Sequence, residues 1–275
     1  MNKLAPPYKT INDHCADIRH SKNHPLQLTY SEVLRECLLT AKLSDSRTFP
    51  NFMISQAPFT LAVKYALQNE ASAEEIYTYL KAFYNNFKPQ TALEWFNIID
   101  KKADKKLKSE PPWAAIPPWR ARSLENYRST IAKGTLNDNL KNGLHADITV
   151  SGWAGCGPVS DEKISIESER LHSVLKSISQ HGYKRHNGED GDIVATALVS
   201  ERKKWKWVVT NGLHRACVLS ALGYSEIPVK INLVIRRSEV DYWPHVASSL
   251  YTKKNALSIF DELFNGCSVF QSPTN

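Results

Sequence analysis

Apolar side chains in the first hundred residues recur every three or four positions, the spacing that places them on one face of a helix. Ser/Thr-x-x-Glu, the pattern of an N-terminal capping box, occurs at residues 29–32, 72–75 and 91–94. Pro58 stands where a further helix can begin, because proline is tolerated in a first helical turn. The predicted helices cover residues 33–41, 59–67, 76–87 and 93–99, and together they indicate an α-helical region over residues 1–110.

A connector rich in proline and tryptophan follows. Residues 110–120 contain four prolines and two tryptophans, which excludes both a regular helix and a central strand. We expect an extended segment held on the protein surface by its aromatic rings; a proline-rich ligand for another protein is the alternative. A helix over residues 123–132 and a stretch ending at Gly143 complete a connector over residues 111–150.

The pattern changes in the second half, where β-branched and apolar runs alternate with amphipathic segments. Cys156 to Ser160 resembles a loop, and the first amphipathic helix stops at Gly182 in the usual C-terminal manner. The predicted order is helix 167–180, strands 193–199 and 205–210, helix 214–222, strand 227–235 and helix 252–264. We therefore predict an α+β domain over residues 151–275, and the α+β class for the whole chain.

Composition narrows the class of protein. The 275 residues are 42% hydrophobic and 23% charged, typical of a globular chain and not of a coiled coil or a disordered tail. No segment approaches the roughly 20 apolar residues of a membrane helix, and no secretory signal opens the chain. Five cysteines without a CxxC pair predict neither a disulfide framework nor a zinc site. We expect a cytoplasmic protein with no membrane partner.

The net charge of +7 favours an anionic partner, and nucleic acid, a nucleotide and a phosphorylated metabolite all satisfy it. The densest basic run, residues 101–108, is interrupted by Asp104 and is typical of a helix C-terminus. A P-loop is excluded because no glycine is followed by lysine, and His20 and His24 lack a third metal ligand nearby. Charge alone therefore selects no partner, and no metal site is predicted.

One segment has the pattern of an anion site. A predicted strand ends at Asn211-Gly212, and His214 and Arg215 open the next helix. Free backbone amides and the positive end of the helix dipole at such a start attract anions. Arg215 adds a planar fork suited to phosphate, and His214 adds a second donor. The alternative is a plain turn followed by a salt-bridged surface arginine.

This segment resembles the ParB/sulfiredoxin superfamily, whose pattern is a strand, Gly-x-His-Arg, a helix with an early alanine, a glycine and Ile-Pro-Val. Ala216, Gly223 and residues 227–229 occupy the later positions. Residues 167–171, Glu-Ser-Glu-Arg-Leu, are similar to the first box of the family. The resemblance covers residues 157–235 and implies a ParB/sulfiredoxin-like domain after the N-terminal helical region.

The branches of the superfamily differ in activity. Sulfiredoxins hold a reactive cysteine immediately before His-Arg, where this chain has Leu213, which argues against sulfinic-acid repair. Chromosome-partition members follow the domain with a helix-turn-helix unit, whereas about forty residues with one convincing helix follow residue 235 here. The free serine kinases carry a first-box glutamate, present as Glu167 or Glu169, and an aspartate that is replaced here by Asn211.

The resemblance thus implies a nucleotide-binding phosphotransferase, a small-molecule kinase, or a nucleotide hydrolase, using ATP or another nucleotide with Mg²⁺ and a small hydroxyl-bearing acceptor. It implies Glu167 or Glu169 as general base and His214 as a further catalytic residue. The implied nucleotide ligands are Arg170, Asn211, Gly212, His214 and Arg215. Arg170 has the alternative of an exposed helix arginine. A nucleotide-gated or non-catalytic nucleic-acid-binding protein and a ParB-like nuclease remain the other functions to be tested.

Overall fold

The computed structural model describes residues 9–12, 14–19, 23–31, 35–98, 105–185 and 192–266, and ten strands lie in these ranges. The strands are β1 (Lys9–Asn12), β2 (Cys15–Asp17), β3 (Glu36–Lys42), β4 (Ser46–Thr48), β5 (Phe52–Met53), β6 (Gly152–Trp153), β7 (Cys156–Val159), β8 (Val194–Val199), β9 (Trp205–Asn211) and β10 (Glu226–Arg236).

Ten α-helices lie in the same described ranges. They are α1 (Pro58–Gln68), α2 (Ala73–Asn86), α3 (Ala92–Trp95), α4 (Lys105–Ser109), α5 (Leu124–Lys141), α6 (Ile148–Ser151), α7 (Asp161–His181), α8 (Leu213–Ala221), α9 (Pro244–Ala247) and α10 (Lys253–Asn265). Short 3₁₀ turns occupy Pro25–Tyr30, Leu43–Asp45, Ile54–Gln56, Pro112–Ala114 and Arg237–Tyr242. None of the described helices is both long and apolar enough to cross a membrane.

A mixed eight-stranded sheet organises the molecule in the order β1-β2-β3-β10-β8-β9-β4-β5. The central strand β10 is antiparallel to β3 and parallel to β8, while β9 is antiparallel to β8 and parallel to β4. Strands from both sides of the predicted boundary near residue 110 therefore lie in one sheet. The α+β class is confirmed.

Two predictions for the secondary structure are wrong. Residues 36–42, expected in a helix over residues 33–41, form β3 instead, and residues 33 and 34 lie outside the described residues. The run Cys37-Leu38-Leu39 is buried throughout, because both faces of β3 are covered, so the strand lacks the polar alternation that would have identified it. The region over residues 1–110 is accordingly not purely helical. The second wrong prediction is the loop over residues 156–160, because residues 156–159 form β7.

Of the three capping boxes, those at residues 72–75 and 91–94 begin helices as predicted, whereas the box at residues 29–32 does not. Helix α1 begins at Pro58, and the Ser72 side chain caps α2 by accepting a hydrogen bond from the Glu75 amide at 3.3 Å. Thr91 caps α3 in the same way, although that helix ends already at Trp95. In the second half β8, β9, α8, β10 and α10 lie where they were predicted, and α7 starts earlier, at Asp161.

The sheet separates two apolar cores. Trp207 and Val209 of β9 pack in the core covered by α1, α2, α7 and α8, whereas Val208, between them, packs in the other core. This alternation follows from the strand geometry, which points successive side chains to opposite faces. In the second core the Trp119 ring packs edge-on against Trp243, with centroids 5.3 Å apart. Trp119 of the proline-rich connector is therefore a core residue.

Candidate anion-binding cleft

The turn between β9 and α8 requires a glycine. Gly212 has φ +80° and ψ 29°, the left-handed region that side chains with a Cβ rarely adopt. A Cβ at this position would lie 3.2 Å from Arg215 Nη2 and 3.3 Å from Ile193 Cα. Gly212 thus turns the chain directly from the strand into α8, whose first three residues line a cleft.

A cleft of about 1190 Å³ lies between α7 and the start of α8. The structure brings to its wall six of the seven residues that the sequence singled out, although α7 and α8 are far apart in the chain. These six are Glu169, Arg170, Asn211, Gly212, His214 and Arg215. The α7 side of the wall is partly apolar, with Val174 and Ile178, and Lys184 adds a further cation beyond the end of that helix.

Glu167, the seventh residue, lies behind the wall. Its side chain is 4% exposed, and its two oxygens have different partners. Oε1 accepts a hydrogen bond from Arg170 Nη1 at 2.7 Å, and Oε2 lies 2.8 Å from His214 Nε2. Burial by itself raises the pKa of Glu167, but the His214 hydrogen bond and the charges of His214 and Arg170 outweigh it and hold the pKa below its ordinary value. Glu167 is therefore a buried anion that holds two cleft-lining side chains.

His214 is held on a second side by an aromatic ring. The Phe59 ring of α1 stacks on the imidazole, with centroids 5.0 Å apart and an angle of 23° between the planes. Phe59 is buried, and the His214 side chain is 30% exposed. The imidazole is thus fixed by a hydrogen-bond partner at its edge and an apolar partner on its face, while it remains accessible from the cleft.

Arg170 is held by an acid that the sequence analysis missed. Asp138 of α5 accepts from Arg170 Nη2 at 2.7 Å and from Nη1 at 3.3 Å. The hydrogen bond to Asp138 raises the pKa of Arg170. Burial by itself raises the pKa of Asp138, but the hydrogen bond from Arg170 and the charge of Arg170 outweigh burial and hold that pKa below its ordinary value. The guanidinium therefore bridges two carboxylates and lies, 34% exposed, in the cleft wall.

The ionic network extends further into the protein through Lys163. This side chain is 3% exposed, and its Nζ donates to Asn139 Oδ1 and lies 3.8 Å from Asp138 Oδ2. Lys163, Glu167 and Arg170 are spaced at i, i+4 and i+7 on α7, a charge pattern that the sequence displays. Asp138 and Asn139 follow no comparable pattern, since only the packing of α5 against α7 brings them to the site.

Arg215 lies on the opposite side of the cleft from α7. Its guanidinium is close to the glycine turn, and its charge acts on Tyr183, another cleft-lining residue. Burial raises the pKa of Tyr183, and the Arg215 charge partly offsets that rise. Arg170, His214 and Arg215 thus line one space, to which the two arginines contribute guanidinium groups.

Glu169 contrasts with its neighbour Glu167. It is exposed, and it lines both the main cleft and an adjoining cavity of about 280 Å³ that is also lined by Glu74, Asp161 and Tyr77. Of the described residues that line the main cleft, Glu169 is the one carboxylate. Within the described ranges no three His, Cys, Asp or Glu side chains are grouped so that they could hold a metal ion by themselves.

Comparisons with protein-family models, with curated proteins and with solved structures find no match for this chain. The resemblance to the ParB/sulfiredoxin superfamily consequently stays a prediction, carried by residues 167–171 and 212–215.

Proposed function

We propose that this protein is a nucleotide-binding phosphotransferase or nucleotide hydrolase that holds the phosphate groups of its nucleotide in the cleft between α7 and α8. The observation that carries the proposal is that Arg170 of α7 and Arg215 of α8 line one cleft together with the N-terminus of α8. Helix N-termini favour anions, and arginine binds phosphate through two parallel hydrogen bonds. Phosphoryl transfer depends mainly on positioning and on neutralising the charge of the transferred group. Arg170, which Glu167 and Asp138 hold in place, suits the first task, and Arg215 suits the second.

The dimensions of the cleft support a ligand of nucleotide size. Small-molecule sites are typically about 300–1,000 Å³, so a cleft of about 1190 Å³ has room for a nucleotide and a small acceptor together. The apolar side chains of Val174 and Ile178 suit the nucleoside, and the cationic end at α8 suits the phosphates. Asn211 also lines the cleft. Because its side chain is uncharged, it suits a hydrogen bond to the phosphates better than it suits a metal ion.

Glu169 is the residue that would hold Mg²⁺. In phosphoryl-transfer sites this ion is bound through one or two carboxylates together with the substrate phosphates, so a single exposed carboxylate in the cleft wall fits the requirement. When bound, Mg²⁺ supplies further neutralisation of the phosphate charge. Glu167 does not suit this role, because both of its oxygens are engaged with His214 and Arg170.

A thermal-unfolding experiment tests nucleotide binding. ATP, ADP, GTP and CTP, each with Mg²⁺, are added to the wild-type protein and to Arg215→Ala. A ligand at 100 times its Kd stabilises the folded state by about 2.7 kcal/mol, so the wild type is expected to show an increase in Tm with at least one nucleotide. Arg215→Ala is expected to lose most of that increase.

Arg202→Ala is the matched control, because Arg202 is exposed in the turn between β8 and β9. That turn lies at the start of β9 and the cleft lies at its end. The seven residues of β9 are separated by six steps of about 3.3 Å, which places the two ends about 20 Å apart. The control should respond to nucleotide as the wild type does. The proposal would be refuted if no nucleotide raised the Tm. It would also be refuted if the protein bound DNA with a steep salt dependence and did not respond to nucleotides.

A further inference from the structure

The Glu167–His214 pair determines which group in the cleft can accept a proton. The pKa of Glu167 is held low, and its oxygens are occupied by Arg170 Nη1 and His214 Nε2. An ionised carboxylate can only accept hydrogen bonds, so the hydrogen atom between Glu167 and His214 belongs to Nε2. Glu167 itself is too deeply buried to contact a substrate hydroxyl in the cleft.

The second ring nitrogen of His214 has a different environment. In a neutral imidazole that carries its proton on Nε2, Nδ1 is the acceptor. Within the part of the chain that the structure describes, Nδ1 has no hydrogen-bond partner, and His214 lines the cleft. The Phe59 ring and the Glu167 carboxylate together restrain rotation of the imidazole. The acceptor atom is therefore fixed in position and free to meet a ligand.

We propose that His214 is the general base of this site and that Glu167 is the positioning residue that fixes its tautomer and orientation. This inference rests on the proposed function. The charged groups around the imidazole are Glu167 and Arg170 from α7 and Arg215 from α8, while α1 contributes the apolar Phe59. A buried carboxylate that orients an imidazole in this way is a general device for proton transfer.

The proposed step is balanced as follows. His214 Nδ1 takes the proton of the attacking hydroxyl, which belongs to the acceptor alcohol or to water. The hydroxyl oxygen forms a bond to the terminal phosphorus, and the bond from that phosphorus to the bridging oxygen breaks. The electron pair of the broken bond remains on the leaving nucleotide phosphate, and the imidazolium then releases its proton to that group or to solvent. Glu167 stays ionised throughout and stabilises the imidazolium.

Nitrogen-15 NMR of histidine side chains tests the tautomer without any turnover. The chain has nine histidines, so the His214 signals are identified by their absence from His214→Gln. We expect neutral His214 to carry its proton on Nε2 in the wild type. In Glu167→Gln the amide oxygen can keep the Arg170 hydrogen bond while the NH₂ group donates to Nε2, and this moves the proton to Nδ1. A proton on Nδ1 in the wild type would overturn the proposal.

Steady-state phosphate release from ATP and Mg²⁺, or from whichever nucleotide raises the Tm most, tests the catalytic role. General base catalysis contributes about 10²–10⁴-fold, so kcat should fall by that factor in His214→Gln and in Glu167→Gln. KM for the nucleotide should change little in Glu167→Gln, because Glu167 does not reach the ligand. The pH profile of kcat in Glu167→Gln should lack the acidic limb that we expect for the wild type. His172→Gln, on α7 and outside the described cleft wall, should keep the wild-type kcat.

The outcomes separate this inference from the proposed function. Normal turnover in His214→Gln, or a rise in KM with unchanged kcat in both variants, would refute the role of His214 while leaving nucleotide turnover intact. Failure of every nucleotide to bind would refute the proposed function, and the NMR spectra would still decide the tautomer. Circular dichroism of each variant establishes that a loss of activity is not a loss of folding. Glu167→Asp, which keeps the charge, should recover part of the activity lost in Glu167→Gln.

Discussion

Glu167 Oε2 lies 2.8 Å from His214 Nε2, although 47 positions separate the two residues in the chain. This contact joins the first half of α7 to the first turn of α8 and lies behind the wall of the cleft. Because Glu167 also binds Arg170, one buried carboxylate positions side chains from both helices. The consequences for stability can be measured independently of any ligand.

The low pKa of Glu167 predicts an acid-sensitive fold. A carboxyl whose pKa is lower in the folded state contributes stability above its unfolded pKa, about 4.3, and loses it as the pH falls through the folded value. We therefore expect the free energy of unfolding to decrease below about pH 5. At pH 7 Glu167→Gln should unfold more easily by about 1.5–3 kcal/mol, the usual worth of hydrogen bonds to charged groups.

Urea unfolding at pH 7 and at pH 3.5 checks this prediction. Glu167→Gln should lose less stability between the two pH values than the wild type does, since its side chain does not titrate. Glu125→Gln, at an exposed position in the first turn of α5, provides the control and should follow the wild type. Equal pH dependence in Glu167→Gln and the wild type would mean that the carboxyl is not held ionised by His214 and Arg170.

The glycine turn predicts opposite effects of two Gly→Ala substitutions. Gly212→Ala should destabilise the protein by about 1–2 kcal/mol, the cost of placing a Cβ in the left-handed region, with added crowding against Ile193 and Arg215. Gly134 lies inside α5, and a Cβ there meets nothing within 4 Å. Gly134→Ala should therefore stabilise by about 0.5–1 kcal/mol. Chemical denaturation measures both changes, and a neutral Gly212→Ala would contradict the strained turn.

The burial of Trp119 predicts that the proline-rich connector is essential for stability. Trp119 is 5% exposed and packs against Trp243 and Phe260. Trp119→Ala should cost about 3–5 kcal/mol, as large aromatic deletions in cores do. Tyr242→Ala, at a position that is 84% exposed, should change stability by less than about 0.5 kcal/mol. Thermal unfolding that is unchanged in Trp119→Ala would revive the alternative of a segment that binds another protein.

Breaking the ion pair of Arg185 and Asp192 should cost far more stability than breaking an exposed pair. Asp192 is 4% exposed, and its oxygens accept from Arg185 Nε at 2.6 Å and Nη2 at 2.8 Å. Arg185→Ala would leave a buried carboxylate without this partner, at a cost of about 3 kcal/mol. The pair of Lys253 and Asp241 is more than half exposed on both sides, so Lys253→Ala should cost less than about 1 kcal/mol. Similar losses in the two variants, measured by urea unfolding, would contradict this ranking.

Several features of the molecule could be predicted from local sequence because their physical causes are local. Ser72 and Thr91 cap helices through hydrogen bonds to amides three residues later, and Gly212 adopts a backbone conformation that other residues avoid. The amphipathic period of α7 and the apolar runs of β8 and β9 likewise identify these elements without reference to tertiary contacts. The clustering of Arg170, His214 and Arg215 was expected from a resemblance, and in the structure these residues line one cleft.

The tertiary structure decided what depends on partners distant in the chain. Residues 36–42 became a strand because β2 and β10 supply its hydrogen bonds and both of its faces are buried, conditions that a periodicity of side chains does not record. Asp138 reached Arg170 only through the packing of α5 against α7. Glu167 and Glu169 look equivalent in the sequence, yet a rotation of about 200° around the helix, two residues at 3.6 per turn, buries one and exposes the other. Charge and hydrogen-bonding capacity are written in the sequence, whereas solvent exposure and ion-pair partners arise from the packing of the whole chain.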